Sequence, residues 1–157
     1  YERPPLQPLM FGGGQEKKRR PGTLPVHLIA GLGLAAELAI KNVEERNVKC
    51  QKFKKTALSH IESMNPIING KEDKTLPNVL NISFPGIDAE ALMVGLKNII
   101  AISNGSACTS QSYTPSHVLQ AMQLPDEVIK GTVRISWCHM TEQPDWDKVV
   151  KTIQRFF

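Results

Sequence analysis

Several absences bound this sequence before any motif is read. No apolar run approaches the roughly 18 residues of a membrane-spanning helix, so no transmembrane segment is expected. The chain opens Tyr1-Glu2-Arg3-Pro4-Pro5, without an initiator Met or an apolar signal segment. The expectation is a piece of a longer protein. There are only three cysteines, Cys50, Cys108 and Cys138, and no CxxC pair among them. An odd, widely spaced set suits no disulfide framework and points to a reducing, cytoplasmic setting. The GxxxxGK[ST] spacing of a P-loop is missing, and so is a strand–GxGxxG–helix order. Internal repeats and low-complexity tracts are also missing.

An excess of charge of one sign is lacking too. Nineteen Lys and Arg stand against fifteen Asp and Glu, a net +4. That is below the basic footprint of a nucleic-acid binder. The one dense run, Lys17-Lys18-Arg19-Arg20, could meet phosphates or act as a localisation signal. A solvated loop is the blander reading of so short a run. Were it a nucleic-acid site, affinity would fall steeply with salt.

What is present is ordinary for a folded domain: 41% hydrophobic and 22% charged residues over 157 positions, too apolar for disorder. Residues 1–24 are dense in Gly and Pro and read as loop around one short strand, Leu6–Phe11. One long helical region is expected from Pro25 to Asn65-Pro66, with Leu28, Ile29, Leu32, Ala36 and Ala39 as an apolar stripe. Asn69-Gly70 is a turn dipeptide in a polar loop. Leu80, Ile82 and Phe84 alternate with Asn81 and Ser83, as a half-buried strand does. Asp88 is placed to cap a short helix carrying Ala89, Leu92, Met93 and Leu96. Ile99–Ser103 reads as a second, more uniformly apolar strand, and Thr114-Pro115 as a helix start. Thr132–Trp137 alternates again, with Val133, Ile135 and Trp137 opposite Arg134 and Ser136. The last helix places Trp146, Val149, Val150, Ile153 and Phe156 on one stripe. The predicted class is α/β, with helices packed on a small sheet.

Four features could carry chemistry. Cys108 lies in Ser103-Asn104-Gly105-Ser106-Ala107-Cys108-Thr109-Ser110, among small polar residues just after an apolar stretch. Buried structural thiols usually sit in apolar runs. A nucleophilic thiol needs access and a stabilised thiolate. An ordinary loop thiol is the alternative. Cys50, in a charged helical stretch, reads as inert or surface-exposed. Cys108, Cys138, His139 and His117 lack the paired short spacings of a zinc site, so no metal is predicted. His27, beside apolar residues of the long helix, reads as a core or interface histidine. Arg134, flanked by Val133 and Ile135, reads either as a fork that holds a carboxylate, or as a structural salt bridge or a solvated sheet face. Gly12-Gly13-Gly14 and Arg20-Pro21-Gly22-Thr23 form a Gly-dense element whose N–H groups and Thr hydroxyl could meet phosphate.

Taken in order, GGGQE, RPGTLP, PNVLNISF, SNGSACTS, PSHVLQAMQL and TVRISW resemble the C-terminal part of pyridoxal-phosphate-dependent cysteine desulfurases. The likeness runs over roughly residues 6–156. It implies the small domain of an aspartate-aminotransferase-like (fold-type I) enzyme, with a small, mainly antiparallel sheet. On that reading residues 1–24 belong to the large domain, and 25–157 are a linking helix plus the C-terminal small domain. The resemblance implies a homodimer that converts L-cysteine to L-alanine and passes sulfur to an acceptor protein of a DNA-modification or iron–sulfur system. It puts Cys108 at the persulfide position. Arg134 and Asn104 fall at substrate-binding positions, and Thr23 at the contact to the cofactor phosphate of the neighbouring subunit. Asn104, where a serine is commoner, together with SYTPSHVL and RISWCHM, is more similar to the desulfurases of DNA phosphorothioate modification. The family's Schiff-base lysine, pyridine-facing aspartate and ring-stacking histidine belong to upstream motifs that this sequence lacks. The chain alone is therefore expected to be inactive. A non-catalytic sulfur-carrier or interaction domain that keeps a reactive Cys108 is the alternative.

Overall fold

The computed structural model describes residues 6–105 and 115–157. The chain divides into two compact units, Tyr1–Val43 and Glu44–Phe157. The boundary expected after residue 24 falls inside the first of them.

In the first unit a 3-10 turn, Gln15–Lys18, precedes helix α1, Val26–Lys41. No residue of α1 is buried, so its apolar stripe (Leu28, Ile29, Leu32) lies open, and His27 is exposed. The strand expected at Leu6–Phe11 is not formed among the described residues. A strand exists only where a neighbour completes its hydrogen bonds, and no other described segment of this unit is extended beside it.

The single long helix expected after Pro25 is two helices. Asn42 interrupts it: its Nδ2 donates to the Leu38 carbonyl at 2.8 Å, and its backbone leaves helical geometry at φ −110° and ψ 9°. Such side-chain competition for a helical carbonyl is a common cause of a break. Helix α2, Val43–Ile61, follows. It ends through a 3-10 turn, Glu62–Met64, with Asn65 left-handed at φ 49° just before Pro66, where the sequence places the stop.

The second unit is built on an antiparallel sheet of order β1-β2-β3: Ile67–Ile68, Val79–Ser83 and Thr132–Ser136. The expected alternation holds. Leu80 and Ile82 of β2, with Val133 and Ile135 of β3, bury one face. Three helices cover that face. Phe53, Ala57 and Ile61 come from α2, and Leu92 and Leu96 from α3 (Ala89–Leu96). Trp146, Val149 and Ile153 come from α6 (Trp146–Ile153). Phe53 stacks on Trp137 at 4.8 Å between ring centroids and meets Trp146 edge-on at 5.9 Å. Trp137 Nε1 donates to the Cys50 carbonyl at 3.1 Å, so the indole is buried without an orphan donor.

Several expectations are corrected. Ile99–Ser103 is not a strand: only Ser103 pairs, as an isolated bridge to Arg134. The amides of Ile99 and Ile100 are already spent on the Leu96 carbonyl, closing α3. Helix α4, His117–Ala121, has Ser116 at its N-cap, so Pro115 stays outside it. Thr114 lies outside the described residues. Strand β1 and helix α5, Asp126–Lys130, arise where no element was expected.

Asp88 caps α3 as the sequence predicts, accepting from Glu90 N at 2.8 Å and Ala91 N at 3.1 Å. Replacing Asp88 by Ala strips both acceptors from an exposed helix end. It should cost about 1 kcal/mol in chemical denaturation of this chain.

Candidate functional site

The sheet face away from the helices carries the polar residues. Asn81 and Arg134 are cross-strand partners. Arg134 spends both backbone groups on Ser103, through N–H to O at 2.6 Å and O from N–H at 3.1 Å. Asn81 turns its carbonyl to the Asn69 amide at 2.9 Å. The two therefore form a non-hydrogen-bonded pair, the closer of the two antiparallel spacings, with side chains on one face.

A cavity of about 510 Å³ opens over this pair, with Asn69, Asn81, Asn104, Ser116, His117 and Arg134 in its lining. Arg134 is exposed. Among the described residues no carboxylate pairs with it. A guanidinium left open in a cavity is a ready receiver for an anion, above all a carboxylate held by two parallel N–H donors.

Beneath the pair runs a buried polar chain. Asn69 Nδ2 donates to Asn81 Oδ1 at 2.8 Å and to Ser83 Oγ at 2.7 Å. Ser83 Oγ lies 2.6 Å from Thr132 Oγ1, which donates to the Val128 carbonyl at 2.7 Å. Asn69 Oδ1 is buried and has no partner among the described residues.

The sequence-predicted site residues divide as follows. Arg134 and Asn104 line the one cavity. Cys108 lies outside the described residues; the described residues nearest it on either side, Gly105 and Pro115, both line the cavity. Thr23 is exposed and belongs to the other unit. There Gly22 sits at φ +102°, a left-handed position that suits glycine. A Cβ on Gly22 would meet Arg20 Nη1 at 3.1 Å. The Gly22 N–H donates to Gln15 Oε1 at 3.2 Å, so the donors left for a phosphate around Thr23 are its hydroxyl and the Arg20 guanidinium.

The other two cysteines differ sharply. Cys50 is not at the surface: it is 5% exposed on the core side of α2, and burial pushes its thiol pKa up, which agrees with the inert half of the expectation. Cys138 is exposed, and the Thr141 hydroxyl, donating to its Sγ at 3.5 Å, pulls its pKa down. Among the described residues no three His, Cys, Asp or Glu side chains cluster as metal ligands. No single helix among them is long and apolar enough to cross a membrane.

Asn81 and Asn69 are the cavity residues that sequence reading passed over. Asn81 stands in the polar phase of an alternating strand and is indistinguishable there from a solvated residue. Only the β2–β3 register sets it against Arg134.

The aminotransferase class-V family model matches residues 5–149. The chain is similar to the cysteine desulfurase NifS of Azotobacter vinelandii, 39% identical over 151 residues, which are 94% of this chain and 38% of that protein. Among solved structures it resembles a NifS-like protein from Rickettsia africae at a TM-score of 0.75 and 30% identity. That match covers 97% of this chain and 40% of the other. It also resembles DndA from Streptomyces lividans at a TM-score of 0.64 and 43% identity, covering 87% and 38%. The chain spans less than two fifths of the length of the curated relatives it matches first. The helices packed on a small antiparallel sheet are those of aminotransferase-fold, NifS-like proteins.

Proposed function

Because this chain belongs to the aminotransferase class-V family, we propose that it is the C-terminal part of a pyridoxal-phosphate-dependent cysteine desulfurase. The observation that carries the reading is the cavity. It brings Arg134 and Asn104 together with Gly105 and Pro115, the described residues nearest Cys108 on either side. Three residues of extended chain span at most about 11 Å, so Cys108 is tethered close to a cavity-lining residue by covalent length alone.

In this reading Arg134 holds the carboxylate of L-cysteine and Asn104 borders the bound amino acid. The Cys108 thiolate attacks the substrate sulfur. A sulfur–sulfur bond forms, the substrate carbon–sulfur bond breaks with its electrons left on carbon, and L-alanine results after protonation. Thr23 would contact the phosphate of pyridoxal phosphate in the partner subunit of a homodimer. When bound, that cofactor would supply the electron sink that takes up the pair left on the substrate carbon. The persulfide passes to an acceptor protein in the cytoplasm. We assign that acceptor to a DNA phosphorothioate modification system rather than to iron–sulfur assembly. Asn104 and the RISWCHM segment support this, as does, among solved structures, an identity of 43% to DndA over 87% of the chain against 30% to the Rickettsia africae NifS-like protein over 97%.

The experiment uses the longer protein that contains this chain. It should release alanine from L-cysteine, whereas the 157-residue chain alone, lacking the lysine motif, should release none. Arg134→Ala in the longer protein should raise KM for L-cysteine at least about tenfold, the scale of a lost charge-assisted contact. Alanine release by the isolated chain, or an unchanged KM, would count against the assignment.

A further inference from the structure

The buried chain under the cavity determines which end of each amide faces where. The Val128 carbonyl can only accept, so Thr132 Oγ1 spends its proton there. Thr132 Oγ1 must then accept from Ser83, whose hydroxyl proton is spent in turn. Ser83 Oγ is left as an acceptor, so the group of Asn69 that faces it at 2.7 Å is the NH2 end. The same nitrogen reaches Asn81 at 2.8 Å, so Asn81 must present its oxygen to Asn69. That leaves the Asn81 NH2 as the free end of a residue that lines the cavity beside Arg134, and it donates to no described residue.

A second observation marks this as a place for a ligand. Asn69 lines the same cavity, is only 7% exposed, and keeps a buried Oδ1 without a partner among the described residues. Buried polar atoms in folded proteins are nearly always satisfied, by protein, water or ligand. A guanidinium and an oriented amide donor on adjacent strands, above an acceptor still open, match an amino acid: two donors for its carboxylate and one acceptor for an N–H or a bound water.

We propose that Asn81 is a second carboxylate-binding residue beside Arg134, and that Asn69 is the positioning residue that turns the Asn81 amide toward its ligand. The proposal rests on the carboxylate role given to Arg134 above. It adds a specificity device, because an amide held at its oxygen end offers donors only. A carboxylate is accepted there, and an amine or other donor-only group is not.

The test is an NMR titration of the uniformly 15N-labelled 157-residue chain with L-alanine, and with ethylamine, which lacks the carboxylate. L-alanine should saturably move the Asn81 side-chain NH2 signals and the backbone amide signal of the cavity-lining Asn104, which reports binding in every variant; ethylamine should move neither. Asn81→Ala should weaken L-alanine binding roughly tenfold, the worth of one hydrogen bond to a charged group. Asn81→Asp keeps the oxygen that Asn69 grips but sets a negative charge beside the ligand, so it should abolish saturation. The amide signals of Val133 and Ile135 report in each variant that the sheet is intact. Asn69→Ala should broaden the Asn81 NH2 signals and weaken binding several-fold. If Arg134→Ala abolishes binding while both Asn81 variants bind as the parent chain does, this proposal is overturned and the carboxylate reading survives. If Arg134→Ala changes nothing, that reading falls as well. Absence of any saturable shift with L-alanine overturns both.

Discussion

Replacing Cys108 by serine in the longer protein should abolish alanine release and persulfide formation from L-cysteine while leaving the fold intact. A serine hydroxyl is a far weaker nucleophile toward sulfur than a thiolate, and the substrate sulfur then has nowhere to go. The other two thiols should not substitute. Cys50 is shut in the core, and burial holds its proton on, so it offers neither access nor thiolate. Cys138 is the harder control, because it is exposed and its thiol is eased toward ionisation by the Thr141 hydroxyl. It should react readily with an alkylating agent. Yet it is not part of the lining of the cavity that holds Arg134, so reactivity there should not become turnover. Mass spectrometry after turnover should find the persulfide on Cys108, and Cys138→Ser should retain activity. A persulfide on Cys138, or a Cys108→Ser enzyme still releasing alanine, would sink the assignment.

How much of this could be read from the sequence depended on the length of each signal. Strands β2 and β3 and helices α3 and α6 were legible because alternation or a 3.6-residue stripe persists over five or more residues in each, and Asp88 marks where α3 begins. Strand β1 has two residues and α5 has five, too short to show a period. Ile99–Ser103 misled in the opposite direction: it is apolar enough for a strand, but its amides had a nearer acceptor in the end of α3. Cys50 was misplaced because the charged residues around it hid its phase with Phe53, Ala57 and Ile61 on the buried side of α2. At the cavity, Arg134 was conspicuous as a cation between β-branched residues. Asn81 and Asn69 were not, since their roles come from pairing across strands, which no local pattern encodes.

The same dependence on contact between segments distant in sequence governs a large stability effect expected in the second unit, at Gly131. This residue ends α5 and leads into β3, and its carbonyl accepts from the Phe84 amide at 2.9 Å. Its φ of −90° is open to any residue, so backbone strain is not the issue. Space is. A Cβ added there would run into the Phe84 carbonyl oxygen and lie 2.9 Å from both the Phe84 carbonyl carbon and the Ile87 oxygen. All three are backbone atoms of the turn after β2, and backbone cannot swing aside as the tip of a side chain can. Gly131→Ala must either push α5 away from that turn or break the Phe84–Gly131 bond. Overpacking of this kind costs about 3 kcal/mol, roughly 10–15 °C in Tm for a unit of this size. The next residue, Thr132, begins the chain of hydrogen bonds to Ser83, Asn69 and Asn81, so a shift at Gly131 should also disturb the Asn81 amide signals. Gly33→Ala is the matched control. It lies within α1 with nothing within 4 Å of the new Cβ, and it should be neutral or stabilising by up to about 1 kcal/mol. If calorimetry finds Gly131→Ala as stable as the parent chain, the close approach between Gly131 and the Phe84–Ile87 turn is not a feature of the folded protein.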